Sequence, residues 1–361
     1  MLWKPDAEQA MQRLEAWWHQ EIIDRPCIQI TAPRAEQWWQ VEHIPVPPMP
    51  ATWEEYWTNL DYRVAAQAEG MRRTYFGGEA LPVFSGNLGP DLFACFFGAQ
   101  PTFNSPETTW VAPIIEDWDH APDLTLDPSN RWLQLQLEFM RRGKEAAQGR
   151  WLMGMPDTHS NADGLAALRG QAPLAMDFYD HPAEVKAALD RILTACMQAY
   201  DLYFEILEPD KAGGSTSDWA KIWGSGRTSI IQCDYLAFVS PRIAEEFIMP
   251  HLAAEARALD HCVYHLDGPE CLPHLDLLLE IKEIQAIQWV PGDGHRSLLQ
   301  WIPMLKRIQA AGKSIQLAPT WPHEIPTLLQ ELRPEGLLFN CHVAEELEAK
   351  EIIARLPEWM K

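Results

Sequence analysis

The chain has 361 residues, 47% of them hydrophobic and 22% charged, which is typical of a folded globular protein and excludes wholesale disorder. It carries 29 Lys and Arg against 51 Asp and Glu, and the formal charge of −22 argues against a nucleic-acid or membrane-surface partner. There is no apolar run of about 20 residues and no apolar core of a secretion signal, and the seven cysteines form no CxxC pair, so we expect a cytoplasmic protein.

The first predicted element is an amphipathic helix over residues 7–20, inside an amino-terminal helical extension of residues 1–26. Eight short apolar runs follow, and they lie at 27–32, 81–86, 151–157, 211–219, 262–268, 286–292, 314–320 and 336–342. Helical patterns fill most of the intervals, at 130–148, 182–207, 241–260, 298–311 and 344–355. Strands that alternate with helices are typical of an α/β (β/α)8 TIM barrel, which we expect to form one domain over residues 1–361.

Two stretches rich in Pro, Trp and acidic residues, 33–57 and 87–129, are interpreted as long ordered insertions over the barrel mouth. The chain has 17 Trp, and pairs such as Trp17-Trp18 and Trp38-Trp39 suggest that some of the rings lie in a pocket or a subunit interface. Because the two insertions carry more apolar area than a lone barrel needs on its surface, we expect a homodimer.

Active sites of such barrels lie at the carboxyl ends of the strands, so the residues that close each run are the informative ones. His265 and Asp267 are two positions apart in one run, which places both side chains on one face of a strand. Imidazole and carboxylate are both zinc ligands, and Cys341 in the last run is a candidate third ligand. The alternative is that His265 and Asp267 make local hydrogen bonds and that Cys341 is a small buried residue.

The run at 151–157 is followed by a second polar group. Asp157 and His159 share a strand-like spacing, and they form either an acid–base pair or a polar rim over the pocket. Asp163 is expected to cap a helix that starts near Leu165.

The segment before the helix at 241–260 supplies a third candidate, Asp234, which either binds a cationic or donor-rich ligand or has no such role. Ser240 followed by Pro241 predicts the cap of that helix. The residues that we predict to contact a small-molecule substrate are Asn87, Asp157, Tyr264, Gln288 and Trp289.

From about Arg25 to Leu356 the chain resembles the uroporphyrinogen decarboxylase superfamily, with segments such as RPCIQITAP, WLMGMPD, ALRGQAPLAMDFYDHP and YHLDGPECLPHLD. It departs from the true decarboxylase at three places. One arginine, Arg34, stands where that enzyme has an arginine-rich stretch, Gly86 takes the place of its central aspartate, and FNCH at 339–342 replaces its closing Gly-His-Asn. The resemblance therefore implies a member of the superfamily that is not the decarboxylase itself.

Zinc-dependent methyltransferases of the same superfamily hold zinc with His-x-Cys after the fifth strand and a Cys after the eighth. His265, Asp267 and Cys341 stand at the corresponding places, with Asp for the middle Cys. The resemblance implies a zinc enzyme that moves a methyl group between a small molecule, or a corrinoid carried by a partner protein, and a thiol. Asp234 and His159 would then be catalytic.

Three other functions stay open at this point. They are a decarboxylase-like lyase, a metal-free barrel that binds a small molecule, and a carbohydrate-active barrel that would use a carboxylate pair. The candidates for such a pair are Asp157, Asp218, Asp267 and Glu270.

Overall fold

The computed structural model describes residues 1–35, 43–295 and 297–360. Trp38 and Trp39, and with them part of the predicted insertion at 33–57, lie outside the described residues.

The strands of the described residues include most of the predicted runs and several short additional ones. In chain order they are β1 Cys27–Pro33, β2 Thr74–Gly78, β3 Val83–Phe84, β4 Pro101–Phe103, β5 Thr109–Val111, β6 Leu152–Met153, β7 Gly214–Thr216, β8 Trp223–Ser225, β9 Thr228–Gln232, β10 His261–Asp267, β11 Ala286–Val290, β12 Ser314–Leu317 and β13 Leu337–His342.

The main sheet has seven strands in the order β2-β1-β13-β12-β11-β10-β9, and every neighbouring pair is parallel except β1 with β2. β3 pairs in parallel with β6, and a parallel bridge from Met155 to Ser217 continues towards β7. The prediction of an α/β fold with a large parallel sheet is thus confirmed. The strand pairs of the described residues do not close it into a ring of eight, because the second neighbour of β1 is the antiparallel β2 and not β3.

The run at 211–219 does not join β10 as the regular alternation predicted. After β7 the chain turns through an antiparallel hairpin to β8, and it is the next strand, β9, that pairs with β10. Neither β9 nor β2 was among the predicted runs. Both strands are short. β9 begins two residues after Gly226, which has a left-handed backbone, so the sequence of β9 cannot be told apart from that of the preceding loop.

The helices follow the predicted positions closely where the apolar pattern is long. They are α1 Ala7–Trp18, α2 Trp53–Thr58, α3 Leu60–Arg72, α4 Leu92–Cys95, α5 Arg131–Ala147, α6 Asn161–Arg169, α7 Gln171–Asp180, α8 Pro182–Leu207, α9 Pro209–Ala212, α10 Pro241–Ile243, α11 Met249–Arg257, α12 Leu275–Glu280, α13 Ile302–Ala310, α14 Ile325–Glu331 and α15 Glu346–Trp359. Short 3-10 turns precede several of them, and a π turn, Ala244–Ile248, joins α10 to α11. None of the helices in the described ranges combines the length and the apolar character that crossing a membrane requires.

Two predicted helix caps have different outcomes. Ser240 does cap α10, since its hydroxyl accepts the backbone N–H of Ile243 at 3.4 Å. Asp163 does not cap the helix that follows it, because α6 already begins at Asn161. Its carboxylate instead accepts the backbone N–H groups of Asp234 and Tyr235, at 2.9 and 2.7 Å.

The strand residues on one face of the main sheet divide into an apolar and a polar half. Near the amino ends of the strands this face is apolar, and α1 packs on it through a buried cluster. The members from the helix and the strands include Leu14, Trp17, Trp18, Ile230, Val263, Ala286 and Leu338. Towards the carboxyl ends the same face carries polar side chains, which form the candidate site described below.

Trp17 and Trp18 are both buried, with ring centroids 4.7 Å apart, and the Trp18 indole donates to the carbonyl of Trp223 at 3.0 Å. This pair therefore belongs to the core, because α1 covers the sheet with two adjacent positions instead of one. The seven cysteines are all free and buried.

Candidate functional site

Three potential metal ligands converge at the carboxyl end of the main sheet. His265 and Asp267 project from the polar face of β10, and Asp234 begins the 3-10 turn Asp234–Phe238 directly after the neighbouring β9. One ligand atom from each of these three residues lies within 4.8 Å of the others. One imidazole and two carboxylates at this spacing fit a single divalent ion.

Cys341 is not a member of this group, which corrects the predicted ligand set. In β13 it is Asn340 that pairs with Gln29 on the polar face, whereas Cys341 pairs with Ile30 on the opposite face. Successive side chains of a strand point to opposite faces, so Cys341 lies away from His265. The Cys341 thiol is buried in the apolar core, and burial raises its pKa to about 12.

A chain of glutamine side chains runs from His265 across the polar face of the sheet. The His265 Nδ1 lies 2.5 Å from Oε1 of Gln288, whose Nε2 donates to Oε1 of Gln316 at 2.5 Å. The Gln316 Nε2 donates to Oε1 of Gln29 at 2.6 Å, and the Gln29 Nε2 donates to the backbone carbonyl of Lys221 at 2.8 Å. The chain joins β10, β11, β12 and β1 to the segment after β7.

The end of this chain fixes the tautomer of His265. A backbone carbonyl can only accept, so the amide nitrogen of Gln29 must face Lys221, and each preceding amide takes the same direction. Oε1 of Gln288 therefore faces His265 and can only accept, which places the proton of the neutral imidazole on Nδ1. Nε2 is then left with its lone pair, as a metal ligand requires. Gln288, which we predict to contact substrate, is hydrogen-bonded to His265 and orients its ring.

Asp234 is hydrogen-bonded to α6, the helix that follows Asp157 and His159. Its backbone N–H bonds Asp163, as described above, and its own carboxylate remains partly open to solvent. The surrounding protein, followed by the nearby charge of Asp163, raises the pKa of Asp234 to about 6, and the imidazoles of His265 and His159 act in the opposite direction. A bound cation would relieve this crowding of carboxylates.

The predicted pair of Asp157 and His159 forms an ion pair, with Nε2 of His159 3.1 Å from Oδ2 of Asp157. Burial disfavours the imidazolium, but the carboxylate of Asp157, with smaller contributions from Asp163 and Asp234, outweighs burial and raises the pKa of His159 to about 10. His159 is therefore a cation at neutral pH. In that state it can donate a proton or hold an anion, but it cannot accept a proton.

The remaining predicted contact residues do not join this group. Tyr264 and Trp289 alternate with His265 and Gln288 on their strands, and both are buried in the core on the opposite face. The ring of Trp289 lies 5.1 Å from that of Trp301. Asn87 uses its side-chain oxygen locally, accepting the backbone N–H of Gly89 at 2.8 Å.

Two cavities reach the two carboxylates of the candidate group, Asp234 and Asp267. One, of about 400 Å³, is lined by Asp234, Asp163 and His159, with Trp110 and Phe238 at its edge. The other, of about 760 Å³, is lined by Asp267 and the Pro291–His295 loop. The candidate metal group thus lies where two solvent-connected spaces approach each other.

Two charged residues lie beside the polar face: Lys221, which sequence reasoning missed, and Asp218, which it gave only as a candidate for a carbohydrate-active carboxylate pair. Asp218 is 2% exposed, its Oδ2 accepts from the Ser85 hydroxyl at 2.7 Å, and burial raises its pKa to about 7. Lys221 follows it in a left-handed conformation with φ of 57°, and burial lowers the pKa of its ammonium, against the opposing charge of Asp218. A lysine three positions after an aspartate matches no known motif, so nothing in the sequence singles out Lys221. The buried position of Asp218 also removes it from any carbohydrate groove.

No family model matches the sequence, and no curated protein matches it. Seventeen chains of solved structures do match. One of them is a methyltransferase from Methanosarcina mazei, with a TM-score of 0.64 and 14% sequence identity over 97% of this chain and 98% of that one. At this identity the match shows a shared fold over nearly the whole length of both chains.

Proposed function

We propose that this protein is a methyltransferase that holds a divalent metal ion between Asp234, His265 and Asp267. The observation that carries the proposal is the convergence of these three ligand atoms within 4.8 Å at the carboxyl end of the sheet. The fold shared with a methyltransferase supports methyl transfer as the reaction. The active sites of related barrels lie at this end of the strands.

The donor set fits zinc, which accepts imidazole nitrogen and carboxylate oxygen. With no thiolate among the three side chains, the site is harder than one built from cysteines, so Mn²⁺ and Fe²⁺ are the competitors to compare. An ion bound there would supply Lewis acidity, which lowers the pKa of a coordinated thiol or water. Gln288 keeps Nε2 of His265 free to bind the ion.

The side chains around the group have separate tasks in the proposed transfer. The reaction forms a bond between the acceptor atom and the methyl carbon and breaks the bond from that carbon to the donor. The electron pair of the broken bond leaves with the donor, and the acceptor's proton passes to solvent. The imidazolium of His159, held by Asp157, places a positive charge near Asp234, where it stabilises an anionic acceptor or donor.

The finer parts of the proposal come from the superfamily resemblance. They are zinc as the metal, a thiol as the methyl acceptor, a corrinoid-bearing protein or a methylated small molecule as the donor, and a homodimer as the assembly. The exposed rings of Trp110 and Phe238 at the rim of the cavity beside Asp234 are compatible with a large donor at that position.

The metal content of purified variants tests the proposal. Parent protein incubated with zinc and desalted is expected to retain about one ion per chain, whereas Asp234→Ala, His265→Ala and Asp267→Ala each lose most of it, because each removes one of the three ligands. Cys341→Ser is the matched control and keeps the parent zinc content. A parent protein without bound zinc, Mn²⁺ or Fe²⁺, or a loss in Cys341→Ser equal to that in His265→Ala, would overturn the metal site.

A further inference from the structure

The cavity beside Asp234 combines aromatic rings with carboxylates. Its volume of about 400 Å³ is within the range typical of small-molecule sites. The rings of Trp110 and Phe238 reach it from two separate elements, β5 and the 3-10 turn after β9, and they are 60% and 59% exposed. Two exposed rings at the rim of one cavity differ from scattered exposed apolar residues, because together they offer a single ligand two apolar faces.

Neither of these two rings has a cationic partner in the part of the chain that the structure describes. Several other rings of the chain do have one. The guanidinium carbon of Arg63 is 4.5 Å from the ring centre of Trp57, and Nζ of Lys186 is 4.8 Å from that of Phe247. The two rings at the cavity can therefore receive a cation only from a ligand.

The charged side chains of the cavity carry an excess of negative charge. Asp91, Asp163 and Asp234 line it, and no lysine or arginine does so among the described residues. The imidazolium of His159 also lines it, but this cation is already paired with Asp157 at 3.1 Å. A divalent ion at Asp234 would balance that carboxylate, and three carboxylates would still face a single imidazolium. The cavity therefore favours a cationic ligand over an anionic or phosphorylated one.

Asp91 is the lining carboxylate that most lacks a partner. Within the described ranges it accepts no hydrogen bond, and its ion pair with Nδ1 of His159 is long, at 3.8 Å. Asp163, by contrast, accepts two backbone N–H groups. Burial raises the pKa of Asp91 against the opposing charge of His159. A cation held beside Asp91 would supply the partner that the fold does not.

We infer that this cavity binds the methyl donor and that the donor is a small onium compound, whose methyl group is bonded to a positively charged nitrogen or sulfur. Aromatic faces suit such a cation because its surface consists of apolar methyl groups that carry the charge. A compact, strongly hydrated ammonium would gain little from the rings. The inference deepens the proposed function and rests on it for the transfer, whereas binding of the cation depends on the cavity alone.

The transfer then balances in charge as well as in atoms. The thiolate of the acceptor forms a bond to the methyl carbon, and the bond from that carbon to the positive nitrogen or sulfur breaks. The electron pair of the broken bond stays on that nitrogen or sulfur, which leaves as a neutral amine or sulfide. The leaving group takes up no proton, so the donor side of the site needs no general acid.

Isothermal titration calorimetry at one ionic strength compares choline with its uncharged carbon isostere, 3,3-dimethylbutan-1-ol. The parent protein is expected to bind choline more tightly by about tenfold or more. Trp110→Leu and Phe238→Leu keep apolar bulk but remove a ring face, and each should lower this preference by about two- to fivefold. Asp91→Asn should lower it as well. Tyr179→Leu removes an exposed ring that does not line the cavity, and this control keeps the preference.

A transfer assay distinguishes nitrogen from sulfur as the positive atom. Zinc-treated parent protein is incubated with 2-mercaptoethanol and either choline or its sulfonium analogue, (2-hydroxyethyl)dimethylsulfonium. Mass spectrometry then measures the S-methyl thioether above the level of a protein-free mixture. Product from one of the two cations identifies the class of donor, and Trp110→Leu should lower its rate. Product from neither overturns the donor role of the cavity.

The outcomes separate this inference from the proposed function. Equal binding of choline and its isostere by the parent, or a preference that survives in both leucine variants and in Asp91→Asn, overturns the cation site even where zinc is bound. A preference that depends on these residues in a parent that retains no metal supports the cation site and overturns the metal-based function. The same preference in a zinc-bound parent that forms the thioether supports both.

Discussion

Nδ1 of His265 and Oε1 of Gln288 are 2.5 Å apart, and the direction of that hydrogen bond is set by a backbone carbonyl three side chains away. The outer partner of a metal-binding histidine usually fixes which nitrogen carries the proton. Here that partner is itself oriented by Gln316 and Gln29, so the tautomer of His265 depends on residues outside the candidate metal group.

Gln288→Leu is therefore expected to weaken zinc binding by about 10- to 100-fold, the range typical of lost outer partners of metal ligands. Gln316→Leu should have a smaller effect, since Gln288 stays in place but becomes free to turn its amide. Competition with a zinc-sensitive dye gives the affinities, and Gln100→Leu, an exposed glutamine, is the control. Equal affinities for Gln288→Leu and the control would show that the orientation of His265 comes from other contacts.

The ion pair between His159 and Asp157 should be visible in a histidine titration. With ¹³C-labelled histidine, NMR of the parent is expected to show no titration of His159 between pH 5 and 8.5, since its pKa is about 10. Asp157→Asn removes the carboxylate that most favours the cation and should lower that pKa by about 1–3 units. Asp91→Asn is the matched control, because its carboxylate is 3.8 Å from the ring and the change should be much smaller.

Glu255 gives the stability of the protein a pH dependence. The carboxyl is 1% exposed, accepts the hydroxyl of Ser160, and has a pKa that burial raises to about 8, against 4.5 in the unfolded chain. A raised carboxyl pKa means that the folded state holds a proton that the unfolded state releases, so the contribution of Glu255 is fully present below pH 4.5 and is lost as the pH rises to about 8.

Glu255→Gln should remove this dependence because the amide keeps the acceptor oxygen and cannot ionise. In urea unfolding, the variant is expected to gain stability relative to the parent as the pH rises from 5 to 8, by an amount on the order of a few kcal/mol. Glu331→Gln, at an exposed position, should show no such trend. A constant difference between Glu255→Gln and parent across this range would contradict the raised pKa.

A buried ion pair holds the start of β1. Arg25 donates to both oxygens of Glu79 at 2.8 Å, and Glu79 also accepts the backbone N–H of Ile28 at 2.7 Å. Arg25→Met leaves the unexposed carboxylate of Glu79 with Arg13, 3.5 Å away, as its remaining cationic partner, and should lower the free energy of unfolding by about 3 kcal/mol. Arg142→Met breaks exposed pairs instead and should cost less than about 1 kcal/mol, which urea unfolding at pH 7 can distinguish.

The parts of the site that a sequence can predict are those that follow from strand periodicity. His265 and Asp267 were found because two residues at alternate positions of a strand share a face wherever that strand lies. Cys341 fails on the same rule, since one position separates it from Asn340, and only the pairing of Asn340 with Gln29 shows which of the two shares the face of His265. The spacing of residues shows which side chains of one strand share a face. It does not show on which face of the sheet those side chains lie.

Other parts depend on contacts between distant segments. The position of Asp234 depends on β9, whose five residues are too short to stand out beside the Gly-rich loop before it. The charge state of His159 depends on Asp157, which the spacing did suggest, and on Asp163 and Asp234, which it did not. A cavity beside Lys221 forms only in the folded chain, where Gln29 and Asn340 of two other strands lie beside it.

α1 covers the amino end of the polar face with buried apolar side chains, so a small molecule cannot reach the polar residues from that end without displacing the helix. In a methyl transfer of the proposed kind, acceptor and donor would both reach the Asp234–His265–Asp267 group from the carboxyl end of the strands. Two substrates that share one approach would compete for it, so the order in which they bind would matter for the proposed reaction.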